Sequence, residues 1–402
     1  LTVLLEQAGK LIMEKTGIMP EVRIPLAESY GRILARDLAA ATDFPPFHRS
    51  PLDGYAVKFA DVCKADSDRP VSLRVVDYVT AGNLSQVAVR PGTAVRIMTG
   101  AKIPAGADAV IRLEDTLTEG KTVKILTASG ADQNICRQGE EFRQGETILT
   151  KGAVLRDGAM GILAMFGQAE VTVYQRPRVA ILATGSEVID VNDLLETGKI
   201  HDSNSYMLAA KVREAGGEPV LLGQVPDVLP EIVERLRRPD GIDLYLTTGG
   251  ASVGDLDLMG QLFERLDIQP LFTRLAIKPG MPVLAGCWGE SLLVALSGNP
   301  AAAGVSFEVL VRPLLRKLAG AACHERGRAR VVLSQPLTKT GPVRRFVWAS
   351  CAPGPDGRLA ARPLLVQRNG MLAGLILANA LLDIPAGSPL LPAGTEITAR
   401  LF

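Results

Sequence analysis

Aromatic residues make up only 4% of this 402-residue chain, so its cores must rest on Val, Leu, Ile and Ala, within a hydrophobic share of 47%. Cysteine is sparse as well. The five residues at 63, 136, 287, 323 and 351 form no C-x-x-C pair, and an odd, scattered set is a poor disulfide framework. Free thiols in a reducing compartment fit it better. Three histidines, His48, His201 and His324, share no metal-ligand spacing, which argues against zinc. Neither sign of charge dominates: 44 basic residues face 43 acidic ones, net +1, without the basic excess of a broad nucleic-acid surface. The longest apolar stretch, near Met371–Leu382, is too short to span a bilayer and contains Asn379. No signal-peptide or lipidation pattern occurs. These absences lead to the expectation of a cytoplasmic protein that engages neither nucleic acid nor membrane. Because the chain opens on Leu1 rather than Met, further N-terminal residues are expected to precede it. Heptads, solenoid repeats, a G-x-x-x-x-G-K-S/T loop and a G-x-G-x-x-G loop are all missing.

The length suggests roughly two to four domains. Apolar residues at 1, 4, 5, 8, 11 and 12 have helical spacing, with Gly17 as a stop. Ile33–Asp37 is expected to extend a second helix. From Phe44 the texture changes to short β-like runs, Val71–Val79, Ala94–Met98, Ala109–Leu113 and Thr122–Leu126, separated by Gly and Pro. Arg178 opens an alternation of strands (179–184, 219–223, 242–248, 292–297) and helices (203–215, 229–237, 257–266, 299–318). Elements of these lengths imply a doubly wound, mostly parallel sheet. The expected division is a mixed N-terminal domain from 1–39 with 141–176, a β-rich domain over 40–140, an α/β domain over 177–322, and a small β domain over 329–402.

In an open α/β sheet, ligands bind beyond the carboxyl ends of the strands. Three strands here end in unusual sequence: Thr184-Gly185-Ser186-Glu187, then Thr248-Gly249-Gly250-Ala251-Ser252-Val253-Gly254-Asp255-Leu256-Asp257, and Ser297-Gly298-Asn299-Pro300. The glycines let backbone N–H groups approach an anion closely. Asn299 suits a helix cap and Pro300 the first helical position, and the expectation is free N–H groups and a positive dipole end there. Asp255 and Asp257, with Glu187 and Asp202, are candidates to hold Mg²⁺ against phosphate oxygens. Each feature alone is more often an ordinary strand end, helix cap or solvated turn. Three together in one α/β unit favour an anionic, nucleotide-like ligand.

Further motifs carry a resemblance. Pro45-Pro46-Phe47 precedes Ser50-Pro51-Leu52-Asp53-Gly54-Tyr55-Ala56, followed by Ile97-Met98-Thr99-Gly100-Ala101 and by Asn134 with Gly139-Glu140-Glu141. The α/β region adds Asp202-Ser203-Asn204, Gly249-Gly250-Ala251-Ser252-Val253-Gly254, Ile277-Lys278-Pro279-Gly280 and Gly298-Asn299-Pro300. In this order and spacing, along nearly the whole chain, the sequence resembles the molybdopterin molybdenumtransferase family, which includes the C-terminal domain of gephyrin. The resemblance implies an α/β domain like that of molybdopterin adenylyltransferases, an elongated homodimer, and insertion of molybdate into adenylated molybdopterin with release of AMP, supported by Mg²⁺. It also implies molybdopterin adenylyltransferase and downstream molybdoenzyme maturation factors as partners. By position it implies catalytic roles for Asp53, Thr99, Glu187, Asp257 and Lys278. Substrate or nucleotide contacts are implied for Gly185, Ser186, Ser203, Gly249, Gly250, Ser252 and Gly254. The same holds for Pro279, Gly280, Ser297, Gly298, Asn299 and Pro300. Metal binding falls to Glu187, Asp202, Asp255 and Asp257. Outside that context Asp53 reads as a turn-former before Gly54, and Lys278 as a solvated loop lysine.

The chain departs from the family pattern at Met281, where a second lysine is usual, and at Ala302. Trp348 and Ala373 also stand where the family's oxyanion pocket has polar or basic side chains, unless Arg345 takes the arginine's place. Two other readings therefore remain at this stage: a relative that binds adenylated molybdopterin without inserting metal efficiently, and a molybdopterin adenylyltransferase.

Overall fold

The computed structural model describes residues 2–250, 258–339, 341–364 and 372–402. The chain forms two compact units, one of Leu1–Arg36, Lys151–Met160 and Ala169–Phe402, the other of Asp37–Thr150 and Gly161–Gln168.

The α/β pattern beginning at Arg178 builds a six-stranded sheet in the first unit. Its order is Glu218–Val225, Arg178–Thr184, Leu244–Thr248, Ser291–Leu296, Leu284–Trp288 and Gln269–Phe272. Five strands share one direction and only Leu284–Trp288 runs against them, in a tight hairpin whose turn uses Gly289 at φ 59°. The central strands are near-continuous apolar runs because both faces are covered. Alternate residues serve opposite cores. Val179, Ile181, Leu244 and Leu246 join the helices Asn204–Ala215 and Arg312–Leu318, while Ala180, Leu182, Tyr245 and Leu293 join Leu229–Arg237 and Leu258–Arg265. Gly216, at φ 97°, ends the first of these helices in a left-handed cap.

The N-terminal helix spans Leu5–Glu14 and buries Leu5, Ala8 and Ile12 on one stripe against the first of these cores. The second helix expected over Ile33–Asp37 does not form. Ile33 instead bridges Val154 and Leu34 bridges Val173, both antiparallel, and each is 3% exposed. Tertiary pairing with two valines overrides the local helical reading.

In the second unit a six-stranded sheet runs Ala109–Arg112, Gly54–Val57, Thr93–Ile97, Val71–Val79, Thr122–Ile125, Thr116–Glu119. Gly54 is sterically required, since a Cβ there would lie 1.9 Å from the Ile111 carbonyl oxygen.

The C-terminal strands close into a ring. Arg344–Pro353 pairs with both Leu359–Pro363 and Ala380–Ile384, and Arg328–Leu333 and Glu396–Leu401 complete the circuit. Closure leaves few free edges. One short strand is added from outside the ring. Ile277–Lys278 pairs in parallel with Arg344 and Arg345.

The helix expected over residues 299–318 is helical throughout, but its middle turn, Phe307–Val311, is a π-turn between Pro300–Ser306 and Arg312–Leu318. Pro313 lacks an N–H and its ring crowds the carbonyl four residues back, so the wider turn relieves the conflict. The π-turn contains Glu308, whose side chain is 1% exposed and accepts from Lys211 Nζ at 2.7 Å and Arg326 Nε at 3.2 Å. Burial pushes this carboxyl upward, but Lys211 and Arg326 outweigh it and hold the group below its ordinary value. A depressed carboxylate adds stability that is complete above the unfolded pKa of about 4.3 and is lost as pH falls through the folded value. Glu308→Gln would leave Lys211 and Arg326 poorly compensated, a loss of about 3–5 kcal/mol in urea unfolding at neutral pH. The gap between variant and wild type should narrow as pH drops below about 4. A gap that stays constant with pH would contradict this account.

Candidate functional site

The three strand ends singled out by sequence meet at one edge of the α/β sheet. A Cβ on Gly249, which has φ 105°, would lie 2.0 Å from the Thr184 carbonyl oxygen, and one on Gly298 would lie 3.2 Å from the Gly249 Cα. Asn204, 8% exposed, ties the edge together by donating from Nδ2 to Thr248 Oγ1 at 2.7 Å and to the Gly298 carbonyl at 2.8 Å. Thr248 Oγ1 in turn donates to the Ser297 carbonyl at 3.2 Å. Asn204 stood inside a quoted motif but was not among the candidate site residues. A polar residue in the first turn of a helix that faces a sheet was the available signal.

Gly185 has φ 152°, and a Cβ on it would meet the Glu187 carboxylate at 2.9 Å, so Glu187 folds back over this glycine. Ser186 is exposed; its carbonyl accepts from Lys199 Nζ at 2.7 Å. Asp202 is 6% exposed and accepts from the Ser205 N–H at 3.0 Å, while Ser203 is exposed. Short parallel pairing of Val188–Ile189 with Ile200–His201 brings the Glu187 and Asp202 segments together. Asp255, Asp257, Ser252 and Gly254 lie outside the described residues. Among the described residues no group of three or more His, Cys, Asp or Glu is placed to hold a metal ion. Three buried oxygens at this edge nevertheless lack a hydrogen-bond partner: Thr184 Oγ1, Asn204 Oδ1 and Ser205 Oγ. Oxygen atoms of this kind, carboxylate and neutral, are what a hard divalent cation accepts, and Asp202 is tied to Ser205 through the Ser205 N–H.

One expectation needs correction. The helix start at Pro300 does not offer free N–H groups, because Asn299 Oδ1 accepts from Ala301 N at 3.1 Å and Ala302 N at 3.3 Å. The capping side chain that marks the helix start uses the same donors that an anion would need. Ser297 Oγ accepts from the Asn299 N–H at 3.2 Å.

Beside this edge lies a cavity of about 920 Å³, reached by Asn299 on one side and by the C-terminal ring on the other. Lys278, Lys339 and Arg345 supply its cations, and Met281 and Trp348 its apolar wall. Lys278 and Arg345 are register partners on paired strands. The Lys278-Pro279-Gly280 turn packs on the helix Pro300–Ser306, where a Cβ on Gly280 would lie 2.3 Å from Ser306 Oγ. Trp348 is 4% exposed and donates from Nε1 to the Ala301 carbonyl at 3.5 Å, so it is part of the packed wall. The two adjacent arginines divide their work. Arg344 is bound by both Asp383 oxygens, at 2.6 and 2.5 Å, and by Glu6. Arg345 donates to the Lys339 carbonyl, and its buried Nε has no partner.

Asp53 and Thr99 belong to the other unit, where they hold each other. Asp53 Oδ1 accepts from the Thr99 N–H and hydroxyl, each at 2.7 Å. The Thr99 hydroxyl and then its N–H hold the Asp53 carboxyl below its ordinary value.

Comparison with known proteins agrees along the whole chain. Residues 3–167 match the family described as "MoeA N-terminal region (domain I and II)", residues 180–317 "Probable molybdopterin binding domain", and residues 330–402 "MoeA C-terminal region (domain IV)". A Bacillus subtilis (strain 168) protein named molybdopterin molybdenumtransferase is 37% identical over 392 residues, covering 94% of this chain and 89% of that protein. One of the same name from Staphylococcus aureus (strain Mu50 / ATCC 700699) is 34% identical, covering 98% and 94%. The crystal structure of a molybdopterin biosynthesis moeA protein from Pyrococcus horikoshii OT3 matches at a TM-score of 0.86 and 31% identity, with both chains covered in full. Likeness of this extent, spanning both compact units, identifies the chain as a member of the molybdopterin molybdenumtransferase family.

Proposed function

We propose that this chain takes adenylated molybdopterin and molybdate as substrates, releases AMP and yields molybdenum cofactor. The observation that carries this reading is the adjacency of two places through Asn299: a glycine-lined strand edge and a cavity in which Lys278 and Arg345 stand side by side. The edge suits a nucleotide, since Gly185, Gly249 and Gly250 leave its backbone bare. The cavity suits a tetrahedral dianion, which needs basic side chains in a site partly withdrawn from water. Lys278, Lys339 and Arg345 provide that charge without a second lysine at Met281 or an arginine at Trp348.

Glu187 and Asp202, joined by Asp255 and Asp257, are proposed to hold Mg²⁺, whose charge would offset that of the phosphate oxygens. The unpartnered oxygens of Thr184, shortly before Glu187 in the chain, and of Asn204 and Ser205, shortly after Asp202, support this assignment. Asp53 and Thr99 are proposed as catalytic residues acting as one hydrogen-bonded pair. A homodimer in the cytoplasm is proposed as the working form, with molybdopterin adenylyltransferase upstream and molybdoenzyme maturation factors downstream. Among the described residues no helix is long and apolar enough to cross a membrane.

The decisive assay is AMP release from adenylated molybdopterin with Mg²⁺, with and without molybdate. Release should depend on molybdate; equal rates without it would overturn the transferase reading. Arg345→Ala should weaken molybdate binding roughly tenfold to a hundredfold, the worth of about 1.5–3 kcal/mol for a charge-assisted hydrogen bond, with little change in melting temperature. Arg344→Ala should do the reverse, because its partners are Asp383 and Glu6; titration calorimetry beside thermal melts separates the two. Asp202→Asn should raise the Mg²⁺ concentration needed for half-maximal AMP release while the circular dichroism spectrum is preserved. An unchanged Mg²⁺ dependence would remove Asp202 from the metal set. Light scattering at micromolar concentration should give twice the chain mass.

A further inference from the structure

A second cavity, of about 310 Å³, lies along the N-terminal helix and shares no lining residue with the first. Its apolar lining includes Leu5, Ile12, Leu310 and Leu314, and Arg400 and Glu325 also border it. Two features there go beyond what folding requires.

The first is Arg400. It is 2% exposed, its Nε has no partner, and Nη1 reaches Glu325 Oε2 only at 3.3 Å. Glu325 itself is shared with Arg328. A buried guanidinium with an unmade hydrogen bond is expensive to keep. Burial also draws the Arg400 pKa down, against the opposing pull of Glu325. The second is Gly9, in the middle of the helix Leu5–Glu14 and part of the cavity lining. A Cβ added there would meet nothing within 4 Å. Glycine weakens a helix relative to alanine, and no close contact demands it here. Its effect is to leave the cavity open.

We propose that this cavity binds a small organic carboxylate with a short apolar chain, the carboxylate on Arg400 and the chain over Leu5, Ile12, Leu310 and Leu314. The volume equals roughly ten waters at about 30 Å³ each, the size of a six-carbon acid. Leu5, Ile12, Leu310 and Leu314 give an alkyl chain one apolar side to lie on, while Glu6, Lys10, Glu325, Arg328 and Arg400 make another part of the lining polar. Lys10, Arg328 and Arg400 face Glu6 and Glu325 on this cavity, three basic groups against two acidic ones, which leaves one positive charge and suits a single carboxylate better than a phosphate dianion.

Hexanoate serves as the probe, with hexanamide as its uncharged counterpart, in titration calorimetry on the full chain. Hexanoate should bind saturably at one site, and hexanamide at least tenfold more weakly. Gly9→Leu fills the opening with a better helix former, so the variant should melt no lower than wild type, retain AMP release and lose hexanoate binding. Absence of saturable hexanoate binding at roughly 10 mM, ten times a millimolar Kd, would overturn the proposal. So would equal binding of hexanoate and hexanamide, equal hexanoate binding by Gly9→Leu, or preference for inorganic phosphate over hexanoate.

Discussion

Three strand ends approach one another so closely at the carboxyl edge of the α/β sheet that a side chain at Gly249 would overlap the Thr184 carbonyl oxygen. Much of the architecture around the site follows from that contact. The strands Arg178–Thr184, Leu244–Thr248 and Ser291–Leu296 are neighbours in the sheet, so their following loops leave from a single line. Side-chain bulk cannot fill the space between those loops. The gap is bridged instead by polar groups, Asn204 to Thr248 and Gly298, and Thr248 to Ser297. The result is an edge with bare backbone and fixed hydrogen-bonding groups, the arrangement open α/β sheets use for phosphorylated ligands.

The neighbouring cavity depends on a different constraint, the alternation of side chains along a strand. Arg344 and Arg345 are adjacent in Arg344–Pro353 and therefore point to opposite sides. One is taken up by Asp383 and Glu6, the other reaches the cavity. The strand belongs to the C-terminal ring, yet Ile277–Lys278, arriving from the α/β part of the chain, is hydrogen-bonded alongside it. Lys278 and Arg345 are thereby set by one backbone register. Trp348, farther along the same strand as Arg345, also lines the cavity and is fixed there on the Ala301 carbonyl.

The α/β region was readable because its signals are local and repeated: apolar runs of strand length, amphipathic helices, and glycines at each strand end. Leu229–Arg237 has the predicted bounds. The glycine-rich ends were readable for the same reason, since close backbone approach leaves a compositional trace. The helix over Ile33–Asp37 failed because Ile33 and Leu34 answer to Val154 and Val173, far along the chain. The free helix N-terminus at Pro300 failed because the motif that announces a helix start also consumes its donors. The role of Arg345 stayed open for a third reason. Choosing between two consecutive arginines requires knowing which side of the strand faces the core, a matter of register that one sequence of short β runs leaves ambiguous. The two differ in their partners: Arg344 is saturated by carboxylates, whereas Arg345 lines the cavity.

Unsatisfied buried atoms occur in several parts of the first unit, and some of them fall at the site. Thr184 Oγ1, Asn204 Oδ1 and Ser205 Oγ cluster at the strand edge, and Arg345 Nε belongs to a side chain on the adjoining cavity. Each such buried group costs stability of about 1–3 kcal/mol relative to a satisfied one. A fold retains that cost where a ligand supplies the missing partner, and the ligand then stabilises the folded chain by mass action. Arg312 and Arg400 also keep unmade hydrogen bonds away from this edge, so orphaned groups alone do not mark the site. At the strand edge they coincide with bare glycine backbone, and that coincidence is what a site shaped for something other than the protein's own side chains shows.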